Sequence, residues 1–225
     1  PSPPRSRARP PLGRRSRWAH AGFSLATGAS LSEGLFRSAE LSRTLAAWAG
    51  EADFRTVVAS SSALLPYLRE PALRDIPAVV DLIDVDSQKW LDFAAAGRPP
   101  KSWLYRLEAA RVRKAERAVA ARARAVAVVS QAEARVYDSF THAGAATVAT
   151  NGVDLDYFAP VECPQQQACA FVGALDYLPN EDAAVWFARD VWPLVRAKFP
   201  AAEFRIIGRK PSAAVQALAA LPGVK

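Results

Sequence analysis

The sequence predicts an α/β protein built on parallel sheets, and three observations carry the prediction. Short apolar runs such as 125–129 lack polar alternation, as expected of parallel strands covered on both faces. Helical stretches separate these runs, the order that a parallel sheet requires. Hydrophobic residues make up 51% of the 225-residue chain, enough for a true core.

Residues 1–20 hold five of the 17 prolines, six arginines (Arg5, Arg7, Arg9, Arg14, Arg15 and Arg17) and no acid. They predict a disordered tail. Ser38 suits the cap of a helix through Leu41, Leu45 and Trp48. A β-rich run at 54–59 ends in Ser60, Ser61 and Ser62, and a short helix is expected around 64–68. A second strand, 77–83, leads into Asp84, Val85, Asp86 and Ser87. The helix expected over 87–95 is stopped by Gly97, Pro99 and Pro100.

The longest helix is expected over 102–123, capped by Ser102, with Trp103, Leu104, Leu107, Ala115, Ala118 and Val119 as its apolar stripe. Glu108 with Arg111, and Glu116 with Arg113, are expected as solvated pairs on its wetter side. Strand 125–129 stops at Ser130. A helix over 131–138 and a strand over 146–150 follow, the latter ending at Asn151-Gly152-Val153-Asp154.

Residues 155–168, with Pro160, Pro164 and three glutamines, read as a connector. The alternation then restarts with a strand over 169–173, a helix over 180–198 and a strand over 204–208. A last helix is capped by Ser212. Trp186, Phe187 and Trp192 recur at helical spacing and are expected in core or interface packing. The domain reading is a tail over 1–20, a first domain over 21–160 and a second over 161–225, with only two strands in the second.

The net charge is +7, from 29 Lys+Arg against 22 Asp+Glu. Removing the six tail arginines leaves 23 bases against those 22 acids, so the body is nearly neutral. A nucleic-acid partner is therefore not expected, and an arginine-rich RNA-binding arm would rest on the tail alone. Cys163 and Cys169 match no zinc or disulfide spacing and read as plain thiols in a reduced compartment. No metal site is expected. No apolar run reaches membrane-spanning length, and no signal peptide is recognisable. Met is absent even at position 1, which reads as a fragment cut at both ends.

In parallel sheets, ligands gather at the carboxyl ends of strands. Those ends carry Ser60–Ser62, Asp84 to Ser87, Ser130, Asn151-Gly152, Gly173 to Tyr177, and Gly208-Arg209-Lys210. Gly173 and Gly208 precede helices, where a backbone can approach phosphate, and Arg209 and Lys210 add cations. The same glycines serve equally as turn residues beside solvated cations. Asp84 and Asp86 are paired carboxylates suited to a metal, to base chemistry or to sugar hydroxyls, or else Asp86 or Ser87 is a helix cap and Asp84 lies in a turn. His20 and His142 follow no strand and are given no catalytic role. Ser60–Ser62 lacks the Gly-x-Ser-x-Gly pattern of a nucleophile elbow.

The segments DLIDVDSQKW (81–90), WLYRLEAARVRKAERAVAARA (103–123), VSQAEARVY (129–137), NGVDLDYF (151–158), FVGALDYLPNEDAAVWFARDVWPLVR (171–196) and FRIIGRKPSAAVQALA (204–219) carry a resemblance. Together they resemble the retaining GT-B glycosyltransferases of family 4, in particular the sugar transferases associated with bacterial exopolysaccharide and exosortase (PEP-CTERM) systems. The resemblance covers residues 35–225. It implies two Rossmann-like domains facing across a cleft, the first lacking its start and the second only begun. A nucleotide-sugar donor would bind the second domain, and a glycan or lipid-linked acceptor the first. Transfer would retain anomeric configuration without a cofactor or bound metal, the leaving diphosphate being stabilised by cations and helix dipoles.

The resemblance further implies Gly173, Asp176, Tyr177 and Asn180 as the donor-side loop, and Gly208 and Arg209, with Lys210 beside them, near the nucleotide. Asp84, Asp86 and Ser87 would be the cleft-facing motif, and Ser130, Asn151 and Gly152 the inner rim. Thr150 stands where the family has Pro, and neither the family's glycine-rich first loop nor its downstream acidic motif is present. The chain by itself is therefore expected to be inactive in transfer, and a non-catalytic nucleotide- or protein-binding module is the alternative. The expected workplace is the cytoplasm, including the inner face of the membrane. There the arginine-rich helix 106–124 either faces anionic lipid or is simply solvated.

Overall fold

The computed structural model describes residues 28–141, 146–160 and 166–225. The expected tail, His20, His142 and Cys163 lie outside them. The chain divides into two units, one ending at Val153 and the other beginning at Asp154.

The first unit opens with α1 (Leu31–Phe36), a helix the hydrophobic pattern did not announce. Its cap is Ser30, whose Oγ accepts from Glu33 N at 2.9 Å. α2 (Ala39–Glu51) starts where predicted, with Ser38 Oγ accepting from Leu41 N. β1 (Val57–Ser60) is followed by a 3-10 helix, Ser62–Arg69, then β2 (Ala78–Ile83), α3 (Asp86–Ala96), α4 (Lys101–Ala120), β3 (Ala125–Val128), α5 (Gln131–Thr141) and the two-residue β4 (Thr147–Val148).

All four strands pair in parallel, in the order β1-β2-β3-β4. The order follows the sequence and never reverses. Right-handed crossovers that keep moving in one direction lie on one face. Burial agrees: Ala59, Ala78, Val80, Leu82, Val126 and Val128 form the covered face, packed by Leu65, Leu68, Val119, Tyr137 and Phe140. The opposite face, with Val58, Val79 and Asp81, is only partly covered or exposed. Among the described residues, then, the sheet is covered on one face, where the sequence predicts cover on both.

β2 ends irregularly. Its register with β3 skips between Asp81 and Ile83, and Ile83 takes φ +67°. A β-branched residue in the left-handed region is strained. Asp81 Oδ1 holds the bulge by accepting from Ile83 N at 3.1 Å. Asn tolerates this conformation, so Ile83→Asn is expected to leave the melting temperature unchanged or higher; thermal unfolding checks it.

The long helix is rotated relative to its prediction. Ser102 is not the cap but a buried residue of the first turn, after Pro100 at the cap position. Ala109, Val112 and Val119 face inward, together with Glu108 and Glu116, which are 1% and 0% exposed. Trp103, Leu104 and Leu107, assigned to the core stripe, point outward. The reason is chemical. Each glutamate meets backbone N–H groups at the start of another helix, so a carboxylate is tolerated where an apolar residue was expected.

The second unit holds β5 (Ala168–Ala174) and β6 (Glu203–Arg209), parallel and in unbroken register from Ala168↔Glu203 to Ala174↔Arg209. Between them α6 (Leu178–Trp186) runs through a π turn, Phe187–Val191, into α7 (Trp192–Lys198). Pro193 has no N–H to give the preceding turn, and the widened turn accommodates it. The widening also keeps Ala184, Ala188 and Trp192 on one buried line at a spacing of four. Trp192 Nε1 donates to Pro222 O at 3.0 Å, and Phe187 packs on Phe204. Trp186, expected to pack, is 58% exposed. α8 (Ala213–Gln216) is capped by Ser212 as predicted and ends in a 3-10 turn, Ala217–Ala220. Val224 and Lys225 then lie along β6 in parallel.

Candidate functional site

In the first unit the strand ends bring together Ser62, Asp86 and Lys89. The rare positive φ of Ser61 (+75°) turns the chain after β1 and places Ser62 at the start of the 3-10 helix. Its Oγ donates to Asp86 Oδ2, while Lys89 Nζ pairs with Oδ1 one turn along α3. Asp86 is the first residue of α3, where the helix dipole favours an acid. Asp84 stays exposed in the turn beyond the bulge, and Val85 between them is buried. The two carboxylates thus have different surroundings: Asp86 is tied down by a hydroxyl and a cation, and Asp84 faces solvent.

Ser87 lies beneath them, fully buried. Its N–H donates to Glu116 Oε1 at 3.2 Å, and its Oγ accepts from Arg113 Nε at 3.3 Å. Arg113 also donates to Gln88 Oε1 and lies over the Phe140 ring, 4.6 Å from its centroid. Burial, above all, holds the Glu116 carboxyl above its usual value; the bonds from Ser87 oppose that and nearby Asp86 adds to it. Its Oε2 has no hydrogen-bond partner. Burial also pushes the neighbouring Tyr137 phenol upward.

Ser130 caps α5, its Oγ accepting from Glu133 N at 3.2 Å. Glu133 does not turn back on that cap. Its Oε2 accepts from Val85 N at 2.7 Å and so fixes the loop before α3. Asn151 and Gly152 sit in the exposed loop after β4. The structure therefore gathers Asp86 and Ser87, uses Ser130 as a cap, and leaves Asn151 and Gly152 in solvent.

Sequence reasoning placed Ser62 at a strand end but missed Lys89, Arg113, Glu116 and Glu133 as parts of this cluster. The Ser130-x-x-Glu133 spacing was a readable signal, because it is a capping pattern. Glu116 offered none, sitting among the arginines of a helix that looked amphipathic another way.

In the second unit, Gly173 and Gly208 face each other at the carboxyl ends of β5 and β6. A Cβ on Gly208 would lie 1.8 Å from Gly173 O, so this approach admits no side chain. Asn180, in the first turn of α6, donates from Nδ2 to Ala174 O at 3.0 Å and rests against Gly173. Asp176 meets Lys210 at 3.5 Å, and Tyr177 caps α6 without a side-chain bond. Arg209 closes β6, its carbonyl accepting from Leu175 N at 3.0 Å. The result is a bare backbone step with the Asn180 amide against it, followed directly in the chain by Arg209 and Lys210. Such a surface can receive an anion through the cations and a hydroxylated ring through the amide and carboxylate.

Among the described residues, no three His, Cys, Asp or Glu side chains gather as a metal would require. No helix among them is long and apolar enough to cross a membrane. Cys169 is a half-buried free thiol on β5, its pKa raised by burial. No protein-family model and no curated protein matches the chain.

Proposed function

We propose that the chain is part of a retaining glycosyltransferase that takes a nucleotide-sugar donor, the second unit binding the donor and the first serving the acceptor. The supporting observation is the Gly173–Gly208 step with Arg209 and Lys210 beside it. A pair of glycines at two strand ends, one of which admits no side chain, next to cations and a helix start, suits the diphosphate of such a donor. Transfer with retention calls for stabilisation of the departing diphosphate, which Arg209 and Lys210 would supply. In the first unit, Asp86 and Asp84 would orient acceptor hydroxyls, a glycan or lipid-linked sugar being the acceptor class. No metal or cofactor is part of this reading.

Calorimetric titration with uridine and guanosine diphosphate sugars tests the donor side directly. Binding is expected for at least one donor, and Arg209→Ala is expected to weaken it about tenfold, the scale of one lost charge-assisted contact. No binding by the folded chain, or equal affinity in the variant, would remove the reading.

A further inference from the structure

The outward side of α4 has a composition its sequence conceals. The helix carries two carboxylates, Glu108 and Glu116, and both are buried. Glu108 accepts from Leu31 N at 2.6 Å and from Ser32 N and Oγ at 2.8 Å. With both acids turned inward, the exposed side shows only cations and apolar groups.

Several arginines expected to face lipid are engaged instead. Arg111 donates to Ala29 O, Arg117 to Phe140 O, and Arg122 to the carbonyls of Leu73, Arg74 and Ile76; Arg113 turns onto Ser87. What faces outward lies further toward the start of the helix. Trp103 and Leu107, 65% and 43% exposed, share one stripe with Ala110 and Lys114, at i, i+4, i+7 and i+11. Leu104, 39% exposed, and Arg106 flank it, and Lys101 precedes it. Among the described residues, Lys101, Arg106 and Lys114 form no ion pair with a carboxylate.

We propose that this stripe of α4 is a docking surface for a membrane containing anionic lipid. The charge carries the choice of partner. An exposed helix face with large apolar residues, flanking cations and no acid complements a negatively charged interface. A tryptophan at the level of lysine and arginine head groups is the usual anchor there. Trp103, Leu104 and Leu107 enter the acyl boundary, while Arg106 and Lys114 stay at the phosphate level. The proposal does not depend on the transfer reading and is tested without a sugar donor.

The test is flotation of the full chain with phosphatidylcholine vesicles and with an equal mixture of phosphatidylcholine and phosphatidylglycerol. Binding is expected to the mixed vesicles and not to the neutral ones. Trp103→Ser combined with Leu107→Ser should weaken it at least about tenfold, from the apolar area removed. Arg106→Glu and Lys114→Glu should each weaken it at least about fivefold. All four positions are exposed or face solvent, and unchanged melting confirms the fold of each variant. Absence of binding to mixed vesicles would overturn the proposal. So would undiminished binding by the double serine variant, which would assign binding to the arginines of residues 1–20. A dimer in solution that this variant dissociates would assign the stripe to a second copy instead.

Discussion

Gly208→Ala is expected to destabilise the second unit by about 3 kcal/mol or more, an overpacking cost at the upper end of what single substitutions produce. The added methyl would sit 1.8 Å from the Gly173 carbonyl oxygen and 3.0 Å from its carbon. Both are backbone atoms in a seven-residue parallel pairing, so neither can move without parting the strands. Gly173→Ala provides the contrast. Its methyl would meet the Asn180 side-chain amide at 2.8 Å, the end of a side chain that can rotate. The expected loss is about 1 kcal/mol, the value of the Asn180 bond to Ala174 O. Urea unfolding followed by tryptophan fluorescence separates the two. Equal losses would mean that the close approach of β5 and β6 is not what constrains Gly208.

Glu116→Gln is expected to change how stability depends on pH. In the folded chain burial raises the carboxyl above its ordinary value, so the folded state holds this proton more tightly than the unfolded state. Below the ordinary value both states are protonated and the contribution is fully present. It is lost as pH rises through the raised value, because the fold must then hold a buried carboxylate with one oxygen unbonded. Glutamine never ionises. The variant should therefore gain on the parent as pH rises above the ordinary glutamate value, about 4.3, and through the raised one. A pH-independent difference in urea midpoints would exclude this account. Glu116→Ala, which leaves the Ser87 N–H without its acceptor and opens a cavity, should cost about 3 kcal/mol at neutral pH.

The elements were legible where local chemistry decides them. Ser38 and Ser212 cap the helices they were expected to cap, and the apolar runs at 78–83, 125–128 and 204–208 lie in strands. α1 escaped notice because it is only six residues long and is held by a distant carboxylate, Glu108. The orientation of α4 was misread for the same reason. Periodicity counts apolar side chains, and it cannot see that helix starts elsewhere in the chain will receive two glutamates. The one-sided burial of the first sheet was also beyond reach, because valines and alanines look alike whether their second face is covered or open. At the candidate site, Asp86 and Gly208 stood at positions that strand ends make prominent. Arg113 and Glu116 are brought to Ser87 by packing between α3 and α4, which no spacing in the sequence records.

The unreversed strand order bears on how the first unit is made. Among the described residues, each strand of the sheet after β1 pairs with the one synthesised just before it, and none leaves a gap to be filled by a later one. A chain emerging from the ribosome can add β2 to β1, β3 to β2 and β4 to β3 as each becomes available. The longest wait is for α3 and α4, which must be complete before β3 can close against β2. Stalling at that point would leave a β1–β2 ribbon with its newest edge open, the form most exposed to pairing with another nascent chain.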